Sequence, residues 1–293
     1  MTELRNVRKF KLAAIDLDGT MLGADAAISP ANRIAIKHLQ GAGVQVVPAS
    51  GRHFRSMLPY VEDLPGVEWV VSSQGGEVAD RRRTVVLAAE FLPRAFVAES
   101  FQIGHSLGFS PVAFGTTGVF TDATWGPDLK FFSDLDGNRP REYRLPEILE
   151  HGIFKVIWIG SPEIVDRSLQ SSPLNTAGLQ VVRTDARFLE FMPVGTSKAA
   201  ALDLLARRLG IQAAEVITFG DGDNDVSMFQ WSGLSVAMPH GWPAAIQAAS
   251  FTVAPGPAET ALARGVDFLF AHGFLVPPGA PRHESPELAR KDF

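Results

Sequence analysis

The sequence predicts an α/β protein: a doubly wound, Rossmann-like parallel sheet with a second α/β unit inserted into it. Three observations lead there. Short apolar runs alternate with amphipathic helical stretches toward both ends of the chain. That rhythm breaks between about Thr84 and Leu189 and then resumes. Acid-rich segments follow the apolar runs, and open α/β sheets form their sites beyond the carboxyl ends of the strands.

Phe10 to Ile15 reads as a short strand apolar on both faces, the type found in parallel sheets. It opens the stretch KLAAIDLDGTML, Lys11 to Leu22, which aims Asp16 and Asp18 at one spot. Ile28-Ser29-Pro30 starts a helix, with Ser29 as N-cap and Pro30 at the first helical position. Ile34 and Leu39 give that helix an apolar face, and Gly41 or Gly43 stops it. Val44 to Val47 is the second strand and ends at Pro48-Ala49-Ser50-Gly51-Arg52. Another helix leads to a third strand, Trp69 to Val71, and a glycine-rich loop, Ser72 to Gly76.

Strand, helix, strand, helix, strand is the grammar of a doubly wound sheet. In the inserted unit, strand-like runs such as Val112 to Phe114 and Lys155 to Ile159 alternate with helices, Arg94 to Leu107 and Pro162 to Gln170. Thr196 then caps a helix, Ser197 to Leu209, that Gly210 terminates. Val216 to Phe219 is a buried strand running into Gly220-Asp221-Gly222-Asp223-Asn224-Asp225. Leu234 to Met238 and Phe251 to Val253 supply two more. The expected division is a discontinuous core, 1–84 and 190–276, an inserted unit, 85–189, and a loosely held tail, 277–293, rich in proline and charge.

Composition narrows the function. The 293 residues are 46% hydrophobic, ample for a large core of one or two domains. The formal charge of -5 and the lack of any basic tract beyond Arg81-Arg82-Arg83 argue against nucleic-acid partners. Cysteine is absent, which removes disulfides and thiol chemistry and fits a reducing cytoplasm. The N-terminal MTELRNVRKFKL carries charges where a signal peptide needs an apolar region. No apolar run approaches the roughly 20 residues of a membrane helix. A soluble cytoplasmic protein without membrane or nucleic-acid partners is expected.

The strand ends hold the chemistry. Asp16 and Asp18 repel one another unless a cation joins them or one holds a proton. With Asp221 and Asp225 they make a set of carboxylates, joined by the Ser50 hydroxyl, the Asn224 amide and the Lys198 ammonium. Magnesium favours a few carboxylates, waters and a phosphate oxygen. A lysine, a hydroxyl and free backbone N–H groups suit a phosphate. An aspartate can attack phosphorus, and a second acid can protonate the leaving oxygen and later activate water.

In order, Asp16-Leu17-Asp18-Gly19-Thr20, Ser50-Gly51-Arg52, Lys198 and Gly220 to Asp225 resemble the four motifs of the haloacid dehalogenase (HAD) superfamily. The resemblance runs over roughly residues 8 to 270. The branch it most resembles is the Cof-like sugar-phosphatase group, subclass IIB, which carries a large α/β cap after the third core strand. It implies a phosphatase that uses Mg2+ and an aspartyl-phosphate intermediate on small phosphorylated metabolites, sugar phosphates above all. Asp16 would be the nucleophile and Asp18 the general acid/base. Leu17, Ser50, Gly51, Lys198 and Asn224 would surround the phosphoryl group, with Lys198 also neutralising Asp16 and Asn224 orienting Lys198 or the phosphate. The metal would sit on the Asp16 carboxylate, the Asp18 backbone carbonyl and Asp221, supported by Asp225. The chain departs from the family pattern at Ser50 (more often Thr), Gln74-Gly75-Gly76 (usually Asn-Gly) and Pro239 to Trp242 (usually Gly-Asn-Ala). These changes alter the rim of the site and remove no catalytic group.

Blander readings bound the rest. The loop at Asp221 fails as a calcium loop, which needs Gly at its sixth position and Glu at its twelfth, where Val226 and Ser232 stand. Arg81 to Arg83 reads as a solvated turn between strands, and His53 as a capping or surface residue. Trp125, Phe131, Phe132 and Trp158 read as core. Gly115 to Lys130, with Asp122, Asp128 and Lys130, is the cap's candidate contact to the leaving group, and His240 and Trp242 are secondary candidates. A phosphotransferase or mutase, and a non-catalytic phosphosugar sensor, stand as alternatives. A nuclease lacks the basic surface it would need.

Overall fold

In the computed structural model, which describes residues 10–171, 174, 176 and 178–277, the first apolar run forms the strand Leu12–Ile15, buried at every position. The tail expected to be loosely held lies, apart from Pro277, outside the described residues. Five parallel strands make the core sheet, in the order Phe251–Thr252, Leu234–Ala237, Val216–Gly220, Leu12–Ile15, Gln45–Pro48. Helices cover both faces, which is why these strands are apolar throughout rather than alternating. Ile15, Val46 and Phe219 pack toward the helices Pro30–Gly41 and Ala261–Ala271, including Leu39, Leu262 and Val266. Leu12, Val47 and Val216 pack toward Lys198–Leu209 and Val226–Trp231 through Leu202, Leu205 and Met228. The core is a doubly wound α/β sheet.

Local chemistry sets the helix ends. The Ser29 hydroxyl accepts the Asn32 N–H at 3.2 Å, with Pro30 at the first helical position. The helix at Lys198 is capped one residue later than expected: the Ser197 hydroxyl accepts the Ala200 N–H at 3.1 Å. Thr196 is buried instead, and its hydroxyl has no hydrogen-bond partner among the described residues. Gly210, at φ 67, ends that helix in the left-handed conformation that glycine adopts without strain.

The third strand departs from the expected rhythm. Trp69–Ser72 meets the parallel sheet only at the bridge between Val71 and Ala49. Its partner is Glu77–Asp80, antiparallel, which in turn pairs with Val86–Ala89. The reason is the connection: Ser73, Gln74 and Gly75 all take positive φ (52, 61 and 94) and turn the chain straight back. A turn that tight joins antiparallel strands, whereas a parallel pair needs a long crossover.

The inserted unit is a six-stranded sheet in the order Leu179–Asp185, Phe188–Pro193, Ile153–Ile159, Ser110–Gly115, Gly118–Thr121, Arg141–Glu142. Neighbours are antiparallel except the last pair. Helices Arg94–Ser106 and Pro162–Ser171 cover one face, around Phe101, Trp158 and Val165. Against the other lies Pro127–Asp136, whose Leu129 and Phe132 meet Phe114, Ile157 and Phe188. This second face looks across a cavity at the ends of the parallel strands. No helix among the described residues is long and apolar enough to cross a membrane.

Candidate active site

The chain leaves the first strand at Asp16 and reverses at once: Met21 N–H reaches the Asp16 carbonyl at 3.2 Å, and Leu22 N–H the Leu17 carbonyl at 2.8 Å. Leu17 drops into the core while Asp16 and Asp18 stay at the strand end. Gly19 makes the turn possible. It sits at φ 75, and a Cβ there would lie 2.3 Å from Asp221 Oδ2.

Lys198, fully buried at the start of its helix, projects its Nζ to 2.5 Å from Asp16 Oδ1 and 2.6 Å from Asp225 Oδ1. The other Asp225 oxygen accepts the N–H groups of Asp221 and Gly222, each at 2.9 Å. Thr20 donates its hydroxyl to Asp221 at 3.3 Å. Carboxylate oxygens of Asp16, Asp221 and Asp225 all lie within 4.8 Å of one another. One ammonium therefore serves several buried acids, and the charge does not balance. Burial pushes Asp16 well above the usual carboxylate range; Lys198 offsets part of this, while Asp225 and Asp221 add to it. Burial, then Asp225, lifts Asp221 to about 6. Lys198 is itself pulled down by burial, but Asp16 and Asp225 outweigh that and hold it above the ordinary lysine value. An oxygen-only cluster with surplus negative charge fits a hard divalent cation such as magnesium.

The second strand delivers Ser50, buried, whose hydroxyl accepts the Arg52 N–H at 3.1 Å. Arg52 has a position that its motif alone does not reveal. Its Nε and Nη2 grip the two oxygens of the half-exposed Asp18 at 2.8 and 2.6 Å, and its Nη1 donates to the Asp136 carbonyl of the inserted unit at 2.8 Å. Asn224 donates to the Gln74 side chain at 3.1 Å. Lys198 is oriented by Asp16 and Asp225 rather than by Asn224, which lines the cavity together with Asp18, Ser50, Gly51 and Asp221.

His53 is a helix cap, but a buried one. Its Nδ1 accepts the Arg55 N–H at 3.1 Å, so the proton sits on Nε2, which donates to the Gly115 carbonyl of the inserted unit at 2.8 Å. Burial lowers its pKa to about 4, although the Gly115 bond opposes this. The arginine turn is only partly solvated: Arg83 binds buried Glu77 at 2.7 Å and the Thr116 carbonyl. His240 donates from Nε2 to the Gly19 carbonyl at 2.7 Å, and Trp242 lines the cavity mouth, half exposed.

Cap residues expected to meet the leaving group point elsewhere. Asp122 pairs with His105 at 2.7 Å, Asp128 with Arg187 at 2.5 Å, and Lys130 with Asp134 at 2.7 Å; none lines the cavity. Trp158 is core, its indole N–H bound to the Ser100 carbonyl at 3.0 Å, while Phe132 reaches the cavity. Trp125 and Phe131 lie half out, under Arg139 and Arg187. The cavity, of about 300 Å³, is roofed instead by Phe114, Phe132, Lys155, Ile157, Thr184 and Glu190. A signal for the missed pair existed in the sequence. Lys155 interrupts the apolar run IFKVIWI, and Glu190 interrupts FLEFM.

The sequence model of the haloacid dehalogenase-like hydrolases matches residues 13–264. The chain belongs to that family. Among its relatives, the putative phosphatase YxeH of Bacillus subtilis (strain 168) is 27% identical over 248 residues, 83% of this chain and 92% of that protein. The HMP-PP phosphatase of Serratia proteamaculans (strain 568) is 28% identical over 235 residues, 80% of this chain and 85% of that one. A solved haloacid dehalogenase-like hydrolase from Bacteroides thetaiotaomicron superposes with a TM-score of 0.80 at 25% identity, over 89% of this chain and 100% of that one. Coverage that complete takes in both the parallel core and the inserted unit, so the fold is the HAD core with its α/β cap.

Proposed function

We propose that this hydrolase is a magnesium-dependent phosphatase of small phosphorylated metabolites, sugar phosphates foremost. One observation carries the reading: three distant segments bring Asp16, Lys198, Asp221 and Asp225 together, with Asp16 and Asp221 lining a capped cavity and Lys198 and Asp225 buried against them. Relatives named as phosphatases agree with it. A cavity of about 300 Å³ suits a single metabolite.

In this reading Asp16 attacks phosphorus, the ester oxygen leaves, and an aspartyl-phosphate forms on the chain. Lys198 fixes the Asp16 side chain and, with the Ser50 hydroxyl and the backbone around Leu17 and Gly51, takes the phosphoryl oxygens. Asp18 turns one oxygen, protonated, from Arg52 to the leaving group, gives that proton to the leaving oxygen and then draws one from the water that cleaves the acyl phosphate. The Asp16 carboxylate, the Asp18 carbonyl and Asp221, braced by Asp225, would hold Mg2+. When bound, the ion neutralises charge gathering on the phosphoryl oxygens. The cap keeps bulk water out while these steps proceed.

The test is hydrolysis of p-nitrophenyl phosphate with magnesium, with EDTA, and by Asp16→Asn. Turnover is expected to need the metal and to fall about a thousandfold or more in the variant, with the circular dichroism spectrum unchanged. Near-normal turnover by Asp16→Asn would remove the nucleophile and with it the reading.

A further inference from the structure

The cap's inner sheet face is apolar almost throughout. Its register places Val112 and Phe114 beside Ile157 and Lys155, and Phe188 and Glu190 beside Ile159 and Ile157. Lys155 and Glu190 break the apolar middle of this face and line the cavity, with Asp136, Arg183 and Asp185 also lining it. Lys155 and Glu190 are 2% and 3% exposed and pair at 2.8 Å. The Lys155 ammonium also lies 4.4 Å from the centre of the Phe114 ring. Glu190 takes the Thr184 hydroxyl on its other oxygen at 2.7 Å.

Such a pair is a poor way to hold a sheet together. Removing two ions from water costs about as much as their attraction returns, so an apolar pair of similar size serves stability as well or better. Nor is the pair saturated. An ammonium carries three donors, and among the described residues Lys155 spends one hydrogen bond, on Glu190. Each Glu190 oxygen accepts one bond and keeps a lone pair. What remains is a donor and an acceptor side by side, set among Phe114, Ile157 and Phe188.

We propose that Lys155 and Glu190, with Thr184 behind them, form the cap's subsite for neighbouring hydroxyl groups on the leaving group, so that the preferred substrate is a hydroxylated monophosphate. A hydroxyl both gives and takes a hydrogen bond, and two adjacent ones match a lysine and a carboxylate held together. The apolar positions around the pair take the C–H face of the same molecule. A second phosphate fits poorly, because each cation that lines the cavity among the described residues is already paired: Lys155 with Glu190, Arg52 with Asp18 and Arg183 with Asp166. The inference rests on the phosphatase reading and separates hydrolysis of monophosphates from a mutase that must seat a bisphosphate.

The test compares the full-length wild-type protein with the double variant Lys155→Met/Glu190→Leu and the single variant Glu190→Gln. Each receives magnesium and p-nitrophenyl phosphate, glycerol 3-phosphate, ribose 5-phosphate, glucose 6-phosphate or fructose 1,6-bisphosphate. The readout is kcat/KM for each sugar or polyol ester divided by that for p-nitrophenyl phosphate. The double variant replaces the pair with apolar side chains, and its thermal unfolding reports that it is folded. For the best hydroxylated monophosphate the ratio is expected to fall about fivefold or more in both variants, as lost hydrogen bonds to charged groups require. A smaller fall overturns the subsite, as does a wild-type protein that cleaves p-nitrophenyl phosphate and none of the monophosphates. A preference for the bisphosphate, lost in the variants, overturns the hydroxyl assignment in favour of a second anion. A wild-type protein that cleaves no ester at all fails earlier, at the phosphatase reading.

Discussion

The floor and the roof of one cavity are built on opposite electrostatic plans. On the floor, Asp16, Asp221 and Asp225 crowd a single lysine, and the surplus charge shows in carboxylates pushed up by burial and by one another. On the roof, Lys155 and Glu190 cancel in a buried pair beside Phe114, Ile157 and Phe188, and Arg183, which also lines the cavity, is paired with Asp166. An unbalanced cluster calls for a cation and a phosphoryl group and suits chemistry at one fixed atom. A balanced pair on an apolar face suits recognition of a neutral group. Within one cavity, then, reaction and selection occupy different walls.

The largest expected effect breaks the floor alone. Lys198→Met leaves Asp16 and Asp225 buried without their cation. Removing one partner of a buried ion pair costs about 3 to 5 kcal/mol, and turnover should fall about a thousandfold with it. Urea unfolding and p-nitrophenyl phosphate kinetics measure both. Magnesium should recover part of the lost stability, because the ion replaces the missing positive charge. A variant as stable as the parent without magnesium would mean that the acids do not depend on Lys198.

The two walls also differ in how far they can be read from sequence. Asp16, Asp18, Ser50, Lys198 and Asp221 stand at strand or helix ends, where a short motif fixes both the residue and its direction. The core strands were readable for a related reason: a strand buried on both faces is an uninterrupted apolar run. Roof residues sit in mid-strand, and which wall they face depends on register and on the side covered by helices. Charge alone misleads there. Asp122, Asp128 and Lys130 look available in sequence, yet each is taken up by a partner outside the cavity. The hairpin after Trp69 was hidden too, because Ser73 and Gln74 are not residues that announce a positive φ.

Arg52 joins the walls, and its removal should cost less than that of Lys198. It holds Asp18 with a two-pronged grip that lysine cannot reproduce, and it reaches the cap at Asp136. Arg52→Lys loosens the placement of Asp18 and should lower kcat about tenfold on an alkyl phosphate, whose leaving oxygen needs a positioned acid. The fall on p-nitrophenyl phosphate should be smaller, because nitrophenolate leaves unassisted. Equal falls on both esters would show that Arg52 acts on something other than proton delivery by Asp18.

The smallest effect concerns the seam. His53 caps a core helix through Nδ1 and binds the cap's Gly115 carbonyl through Nε2–H, so both nitrogens are committed to the neutral ring. Its pKa falls from 6.5 to about 4 on folding, chiefly through burial. The unfolded chain therefore binds the extra proton between those values, and stability must drop as pH falls through that window. Above pH 6.5 the contribution is complete; by pH 4 about 3 kcal/mol of it is gone. His53→Gln keeps a donor for Gly115 and cannot titrate. Urea unfolding of the two proteins from pH 7.5 to 4 should diverge, with the wild type losing stability faster, while their turnover at pH 7 stays alike. Parallel curves would mean that His53 takes up its proton without leaving the seam, and that floor and roof are joined by Arg52 instead.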